Sequence, residues 1–380
     1  MSGDPFEHLD RLLLWSDGSR EKELLASLCG LHRNHVRTAV RQMDGLSLQV
    51  SALDSLPVHR SDLILDAPRT WLMAVGRPDS SSLRSHLDDS LLADAADTRG
   101  VEQLPRSVWS AGGERFWPAG LHPRRVDTAH SFSPSEPYVA PRLPSGVIVD
   151  FWSPAARGPL PEVSGESVDP TRTEVSIVLE RLNVVDKALP IVSSSLGDAI
   201  RTCSKSLVVR KDPDNSGLFT AASTPTALMR PILRNPHRAE ATTAEIADGW
   251  VHETIHCLFD LAELAAPALG SPLPERELRF RSPWTGRLLD PNTYIQACYV
   301  WYGLWHFWSR ALLTEQWDRG VCSRMMSRAA WGFLQSQVDA PIRSIANSVS
   351  PMVLAGLGRC QASVREEADG VLRLLQTRHE

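Results

Sequence analysis

The stretch TTAEIADGWVHETIHCLFDLAELAAP, residues 242–267, constrains the fold of this chain more than any other. Its apolar residues hold a helical period, Thr242 or Thr243 is a suitable N-cap, and Pro267 closes the run. Ile255, Leu258, Phe259 and Leu261 mark the helix as packed inside. Yet His252 and His256 project from one side of it, and Glu253 lies about 100° around the axis. Imidazoles inside a core need a reason to be there. The H-E-x-x-H spacing supplies one, a divalent cation held by two rings one turn apart. The alternative is a pair of core histidines satisfied by hydrogen bonds.

A two-histidine site needs further ligands. The extended metzincin pattern would require glycine at 259 and histidine at 262, where the chain has Phe259 and Ala262. Glu263 shares the helix face but lies about 10 Å along the axis from His256, too far for the same ion. Glu275 and Glu277, in an expected loop, remain possible as in a glutamate zincin. The helix NTYIQACYVWYGLWHFWSRALL, 292–313, is the better source, its apolar surface interrupted mainly by Gln296, Tyr299 and His306. A buried amide such as Gln296 must find partners. Six of the twelve tryptophans fall between Trp284 and Trp331, so this helix is expected to be walled by aromatics and to line a cavity.

Composition narrows the function classes. The 380 residues, 42% hydrophobic, suffice for a large core. A net charge of −5 from 40 basic and 45 acidic side chains leaves neither nucleic acid nor an anionic membrane as an expected partner. MSGDPFEHLDRLLLW lacks the basic opening and apolar length of an export signal, and HETIHCLFDLAELAAPAL is charged at one end and Pro-broken at the other. A soluble, cytoplasmic chain is expected. Six dispersed cysteines without a C-x-x-C read as reduced thiols rather than a disulfide framework or zinc knuckle.

The expected architecture is α+β and predominantly helical, with a small irregular sheet among the helices and a metal site between two core helices. Residues 1–50 read as an N-terminal helical segment, with two helices over 6–45 and with His32 and His35 on a solvated face. Residues 51–145, rich in Ser, Pro, Gly and Asp, read as long loops, with 76–145 a connector or a substrate-covering lid. Residues 146–380 form the catalytic region of what is expected to be one compact domain. Strands are expected at GVIVDFW, SLVVR and GLFTAAS, the last two as a hairpin turning through KDPDNS, and helix over 172–204. Beyond Ala239 the chain reads as helical, broken at Pro267, at 282–292 and near 339–351.

Several segments in order resemble the HExxH-type 2-oxoglutarate-dependent peptide β-hydroxylases of peptide natural-product (RiPP) pathways. VHETIHCLFDLAEL is similar to that family's metal helix. SPW at 282–284 followed by YIQACYVWYGLWHFWSR resembles its P-W loop and succeeding helix, and SVSPMVLAGLGRCQASV its C-terminal segment. SLVVRKDPDNSGLFTAASTPTALM occupies the place of its strand pair. The likeness is diffuse over 30–375 and specific between about 206 and 310. It implies a mononuclear Fe(II) site using 2-oxoglutarate and O₂, with His252 and His256 as ligands and Gln296 as a third ligand or a neighbour of one. Glu253 would hydrogen-bond a ligand or bound water. Where the family has arginines this chain has Thr285 and Leu289; Arg287 lies between and would clamp the co-substrate carboxylate, with Arg281 and Arg279 as substitutes.

The expected activity is therefore an Fe(II)- and 2-oxoglutarate-dependent dioxygenase that hydroxylates an unactivated C–H bond, at the β-carbon of an amino-acid residue, in a peptide or carrier-tethered substrate. Two imidazoles with open positions suit non-haem iron, but they also suit catalytic zinc. The alternatives are thus a Zn(II) metallopeptidase with Glu253 as general base, and a non-catalytic peptide-binding relative.

Overall fold

The computed structural model describes residues 5–76, 78–99, 104–120, 132–158, 167–212, 218–270 and 277–376. It is α+β and predominantly helical. In chain order the first helices are α1 (Phe6–Leu12), α2 (Ser19–Gln42), α3 (Ser47–Ser55), α4 (Val58–Leu65), α5 (Pro68–Trp71) and α6 (Ser80–Arg99). Strands β1 (Val108–Trp109), β2 (Arg115–Trp117), β3 (Tyr138–Val139) and β4 (Ile148–Asp150) follow, then α7 (Pro154–Arg157), α8 (Arg172–Val192) and α9 (Ser194–Cys203). Next come β5 (Ser206–Arg210), β6 (Thr220–Ala222), β7 (Ile232–Arg234) and α10 (Thr243–Glu263). The chain ends with β8 (Phe280–Arg281), β9 (Leu288–Leu289), α11 (Pro291–Thr314), α12 (Arg319–Gln335), α13 (Ala340–Arg343) and α14 (Pro351–Gln376). Among the described residues no helix is long and apolar enough to cross a membrane.

Contacts divide the chain into two compact units. Unit 1 comprises residues 1–28, 188–198 and 258–380; unit 2 comprises 29–187 and 199–257.

Unit 1 is built on α11, which packs against α12 and α14, while α14 also packs on α1. Asp290 caps α11 by accepting from the Thr293 backbone N–H at 3.1 Å, and Pro291 opens the first turn, where its missing donor costs nothing. The segment after α1 is pinned by polar contacts of great sequence separation. Trp15, fully buried in the left-handed region at φ 53°, donates its indole N–H to the Gly303 carbonyl at 2.8 Å. Its own carbonyl accepts from Ser193 Oγ at 2.6 Å, and Arg310 donates to the Leu14 carbonyl at 2.8 Å. Phe6 packs on Phe259, and Phe259 on Tyr299.

Unit 2 holds a four-stranded sheet in the order β4-β5-β7-β6, in which β4, β5 and β7 run parallel and β6 is antiparallel to β7. Ser206–Arg210 is buried throughout, as expected of an inner parallel strand covered on both faces. Arg210 is accommodated there because its guanidinium donates to the carbonyls of Ala156 and Gly158, each at 2.8 Å. A separate antiparallel sheet, β1-β2-β3, contributes Val108 and Trp117 to a cluster with Ala93, Ala96 and Leu104.

Four sequence expectations are corrected. Residues 47–99 are mostly helix rather than loop: α3, α4, α5 and α6 bury Leu53, Ile64, Trp71, Leu83 and Leu87, so packing overrides a Ser- and Asp-rich composition. The lid or connector expected over 76–145 therefore includes a 20-residue helix, and residues 77, 100–103 and 121–131 of it lie outside the described residues. β5 and β6 do not form a hairpin, because β7 inserts between them and supplies the parallel register Val208↔Ile232; most of the KDPDNS turn lies outside the described residues. His32 is not solvated: it is fully buried and stacks on Trp71 at 4.8 Å, whereas His35 is exposed. All six cysteines are free thiols, five of them buried.

Among the described residues His32 and His86 of unit 2, like His306 of unit 1, set an acid limit on stability. Burial lowers the pKa of His32 to about 4 and that of His86 to about 3, below the 6.5 of an exposed imidazole. The unfolded chain thus binds the protons first, so stability is complete above pH 6.5 and is lost as pH falls toward 4 and 3. Across that window the His32 ring accounts for about 3 kcal/mol and the His86 ring for about 5 kcal/mol. Denaturant titrations at pH 7 and pH 4.5 should show this loss. His32→Phe should reduce it, because neither His32 ring nitrogen has a hydrogen-bond partner among the described residues. An equal pH slope in His32→Phe would refute the assignment.

Candidate metal centre

The N-terminus of α10 is fixed by a capping box. Thr242 Oγ1 accepts from the Glu245 N–H at 3.2 Å, and Glu245 Oε2 accepts from the Thr242 N–H at 3.0 Å, which decides between the two expected caps. Trp250, fully buried, donates its indole N–H to Ser204 Oγ at 2.8 Å. Thr254, also fully buried, returns its hydroxyl to the Trp250 carbonyl at 2.8 Å. Polar atoms on the core side of this helix are therefore met by specific partners.

Gly249 sets the distance to the sheet. A Cβ there would stand 3.0 Å from the Ala221 methyl and 3.3 Å from the Phe219 ring, so a larger residue would require β6 to give by a few tenths of an ångström. One turn further on, the result is chemical. Ser223, just past β6, donates its Oγ–H to Glu253 Oε2 at 2.5 Å. Glu253 is 4% exposed, and burial pushes its carboxyl up to about 7, with the Ser223 hydrogen bond opposing the shift. Its other oxygen stands 3.9 Å from His252 Nε2.

His252 and His256 lie on the same side of α10, both half-buried, with ring centroids 4.9 Å apart and Nε2 atoms 3.2 Å apart. This fits two ligands of one ion: with metal–nitrogen distances of about 2.1 Å, a 3.2 Å chord subtends about 100°, between the octahedral and tetrahedral angles. Among the described residues no group of three or more His, Cys, Asp or Glu side chains is placed to hold an ion. The two imidazoles thus fit two positions of a coordination shell, with the rest left to oxygen donors of another kind, such as an amide, water or a co-substrate.

The other expected residues lie in unit 1. Gln296, half-buried on α11, has a specific partner, as a shielded amide requires: its Nε2 donates to Asp260 Oδ1 at 2.9 Å. Asp260 is 6% exposed and follows His256 by one turn of the same helix. Arg279, Arg281 and Arg287 are exposed around the β8–β9 ribbon, and Arg281 donates to the Gly286 carbonyl at 2.8 Å. Glu263 is held by the Ala268 N–H and the Asn292 amide. Glu277 is exposed, and Glu275 lies outside the described residues. His306 stacks edge-on against Tyr302 at 4.5 Å and faces Glu367 at 3.6 Å. The tryptophans include core rings, Trp305 and Trp308, and a half-buried stack of Trp284 on Trp301 with Arg328 over it at 5.4 Å.

Sequence reasoning missed Ser223, Gly249 and Asp260. Asp260 carried a readable signal, its four-residue spacing from His256. The other two carried none, because their roles arise from the approach of β6 to α10.

No family model and no curated protein matches this chain.

The geometry predicts that the protein binds one equivalent of a divalent transition ion such as Co(II), and that His252→Ala and His256→Ala each weaken binding at least tenfold. Calorimetric titration with far-ultraviolet circular dichroism as a folding control checks this. Unchanged binding in both variants would refute the pair as ligands.

Proposed function

We propose that this protein is a non-haem Fe(II)- and 2-oxoglutarate-dependent oxygenase that hydroxylates an unactivated C–H bond of an amino-acid residue in a peptide or carrier-tethered substrate. The observation that carries the reading is the convergence of His252 and His256 Nε2 at 3.2 Å, with a buried carboxylate beside them. The resemblance of 206–310 to the HExxH peptide β-hydroxylases gives that site its chemistry. When bound, the ion and 2-oxoglutarate would supply the oxidising power for C–H cleavage.

The chain's own groups have separate tasks. His252 and His256 would hold the ion through Nε2. Glu253 is fixed by Ser223 through one oxygen, which leaves Oε1 toward His252, where it can accept a hydrogen bond from a bound water or substrate group. Gln296, whose amide donates to Asp260 Oδ1, would be a third ligand or a neighbour of one, as the resemblance implies. Arg287, Arg281 or Arg279 would meet the distal carboxylate of the co-substrate. Reaction in a cytoplasmic setting suits a chain with free thiols.

One observation favours a second reading. A buried carboxylate 3.9 Å from a ligand nitrogen also suits the general base of a zinc peptidase, acting on metal-bound water. Anaerobic addition of Fe(II) and then 2-oxoglutarate separates the two. The oxygenase reading expects a weak visible charge-transfer band from the chelated keto acid, absent in His252→Ala and weakened in Arg287→Ala. No band, together with stoichiometric zinc and peptide hydrolysis that Glu253→Gln abolishes, would replace it with the peptidase. Tight peptide binding with neither metal would leave a binding protein.

A further inference from the structure

A cavity of about 380 Å³ lies wholly within unit 2 and shares no lining residue with the His252, Glu253 and His256 group. Its volume falls within the range of small-molecule sites. One wall is apolar, formed by Leu63, Ile64, Ala93, Ala111, Trp117 and Val147. The mouth reaches solvent, since Leu63 is 69% exposed and Arg142 is exposed.

The charged lining is unevenly committed. Four carboxylates, Asp66, Asp94, Asp97 and Glu114, face five cations, Arg60, Arg115, Arg142, Arg201 and Lys205. Each carboxylate is already engaged. Asp94 pairs with Arg60 at 2.8 Å and Asp97 with Arg115. Asp66 is held at 2.5 Å by Arg33, which is not part of the lining, and Glu114 accepts from Ser110 Oγ at 2.7 Å. Among the described residues Lys205, half-buried, has no carboxylate partner and the Arg142 side chain donates only to the Gly146 carbonyl at 3.2 Å. The cavity thus offers an apolar wall and an excess of positive charge at Lys205 and Arg142.

We propose that this cavity binds a monocarboxylate with an apolar body. A carboxylate would give Lys205 and Arg142 the charged acceptor they lack, in charge-assisted hydrogen bonds, while the body covers the wall around Trp117. A phosphate dianion fits less well because five lining cations against four carboxylates leave one net positive charge, which a monoanion matches. A neutral ligand leaves both cations without an anion. The proposal does not depend on the metal reading, since the two sites have no residue in common.

A free small acid and the C-terminal carboxylate of a peptide offer the same chemistry, so the test uses both. Calorimetry on the full chain would compare 4-phenylbutyrate and acetyl-glycyl-phenylalanine with their amides and with phenyl phosphate. At least one acid should bind, at least tenfold tighter than its amide and than phenyl phosphate; which one binds identifies the source. Lys205→Met and Arg142→Ala should each weaken binding about tenfold. Leu63→Glu sets a negative charge at the exposed mouth, so it should do the same without loss of fold. Binding should persist in His252→Ala. The proposal is overturned if neither acid binds, if an amide or phenyl phosphate binds as tightly, if folded Leu63→Glu binds unchanged, or if His252→Ala abolishes binding.

Discussion

Desolvation of polar groups on α10 is the constraint on which the rest of the candidate centre depends. A helix that enters a core with a carboxylate, an indole N–H and a threonine hydroxyl must find a partner for each, or lose a few kcal/mol per unmet group. Thr254 turns back to the Trp250 carbonyl of its own helix, and the other two partners come from distant parts of the chain. Ser204 meets Trp250 and Ser223 meets Glu253, and the latter requires the close passage of β6 over Gly249. The sheet therefore has a role beyond packing: the order β4-β5-β7-β6 places the segment leaving β6 against the helix. Asymmetry results. Glu253 is closed in, while the two imidazoles remain half-exposed, the condition for a site that must admit ligands.

The two units treat buried charge differently. In unit 2, Arg210 donates to two carbonyls and the Glu253 carboxylate accepts from a hydroxyl. Such neutral partners leave a carboxyl group free to change its protonation state at modest cost. In unit 1, Asp10 is buried and meets Arg359 directly in a two-nitrogen contact, which fixes α1 on α14.

What could be read in the sequence followed the range of the interactions. Helical period and caps are local, so α2, α8, α9, α10 and α11 were legible, as was the shared face of His252 and His256. Strand segments β4, β5 and β6 were legible as short β-rich runs, but their pairing was not: β7 is three residues long and its register with β5 is a tertiary fact. The helices over 51–99 were hidden because aspartates there serve as a cap, as Asp79 does for the Ser81 N–H, and as salt-bridge partners on helix surfaces, as Asp62 and Asp66 do for Arg33. His32 was misread for the opposite reason, since its arginine neighbours face solvent more than it does. Ser223 was invisible because nothing local distinguishes it from any other serine after a strand.

The pinning of Trp15 has a consequence for how the chain is made. Its hydrogen bond to Gly303 spans 288 residues, and the contact between Asp10 and Arg359 spans 349. At roughly 5–20 residues per second, a ribosome needs on the order of 20–70 s to deliver the second partner. During that interval Phe6, Leu9, Leu12 and Trp15, all buried in the finished protein, have no native surface to cover them. Unit 2 can assemble most of its sheet in the meantime, since β4 to β7 lie within residues 148–234. Synthesis thus leaves an apolar helix waiting for its partner, a natural substrate for a holding chaperone and the first place where slow translation would expose the chain to aggregation.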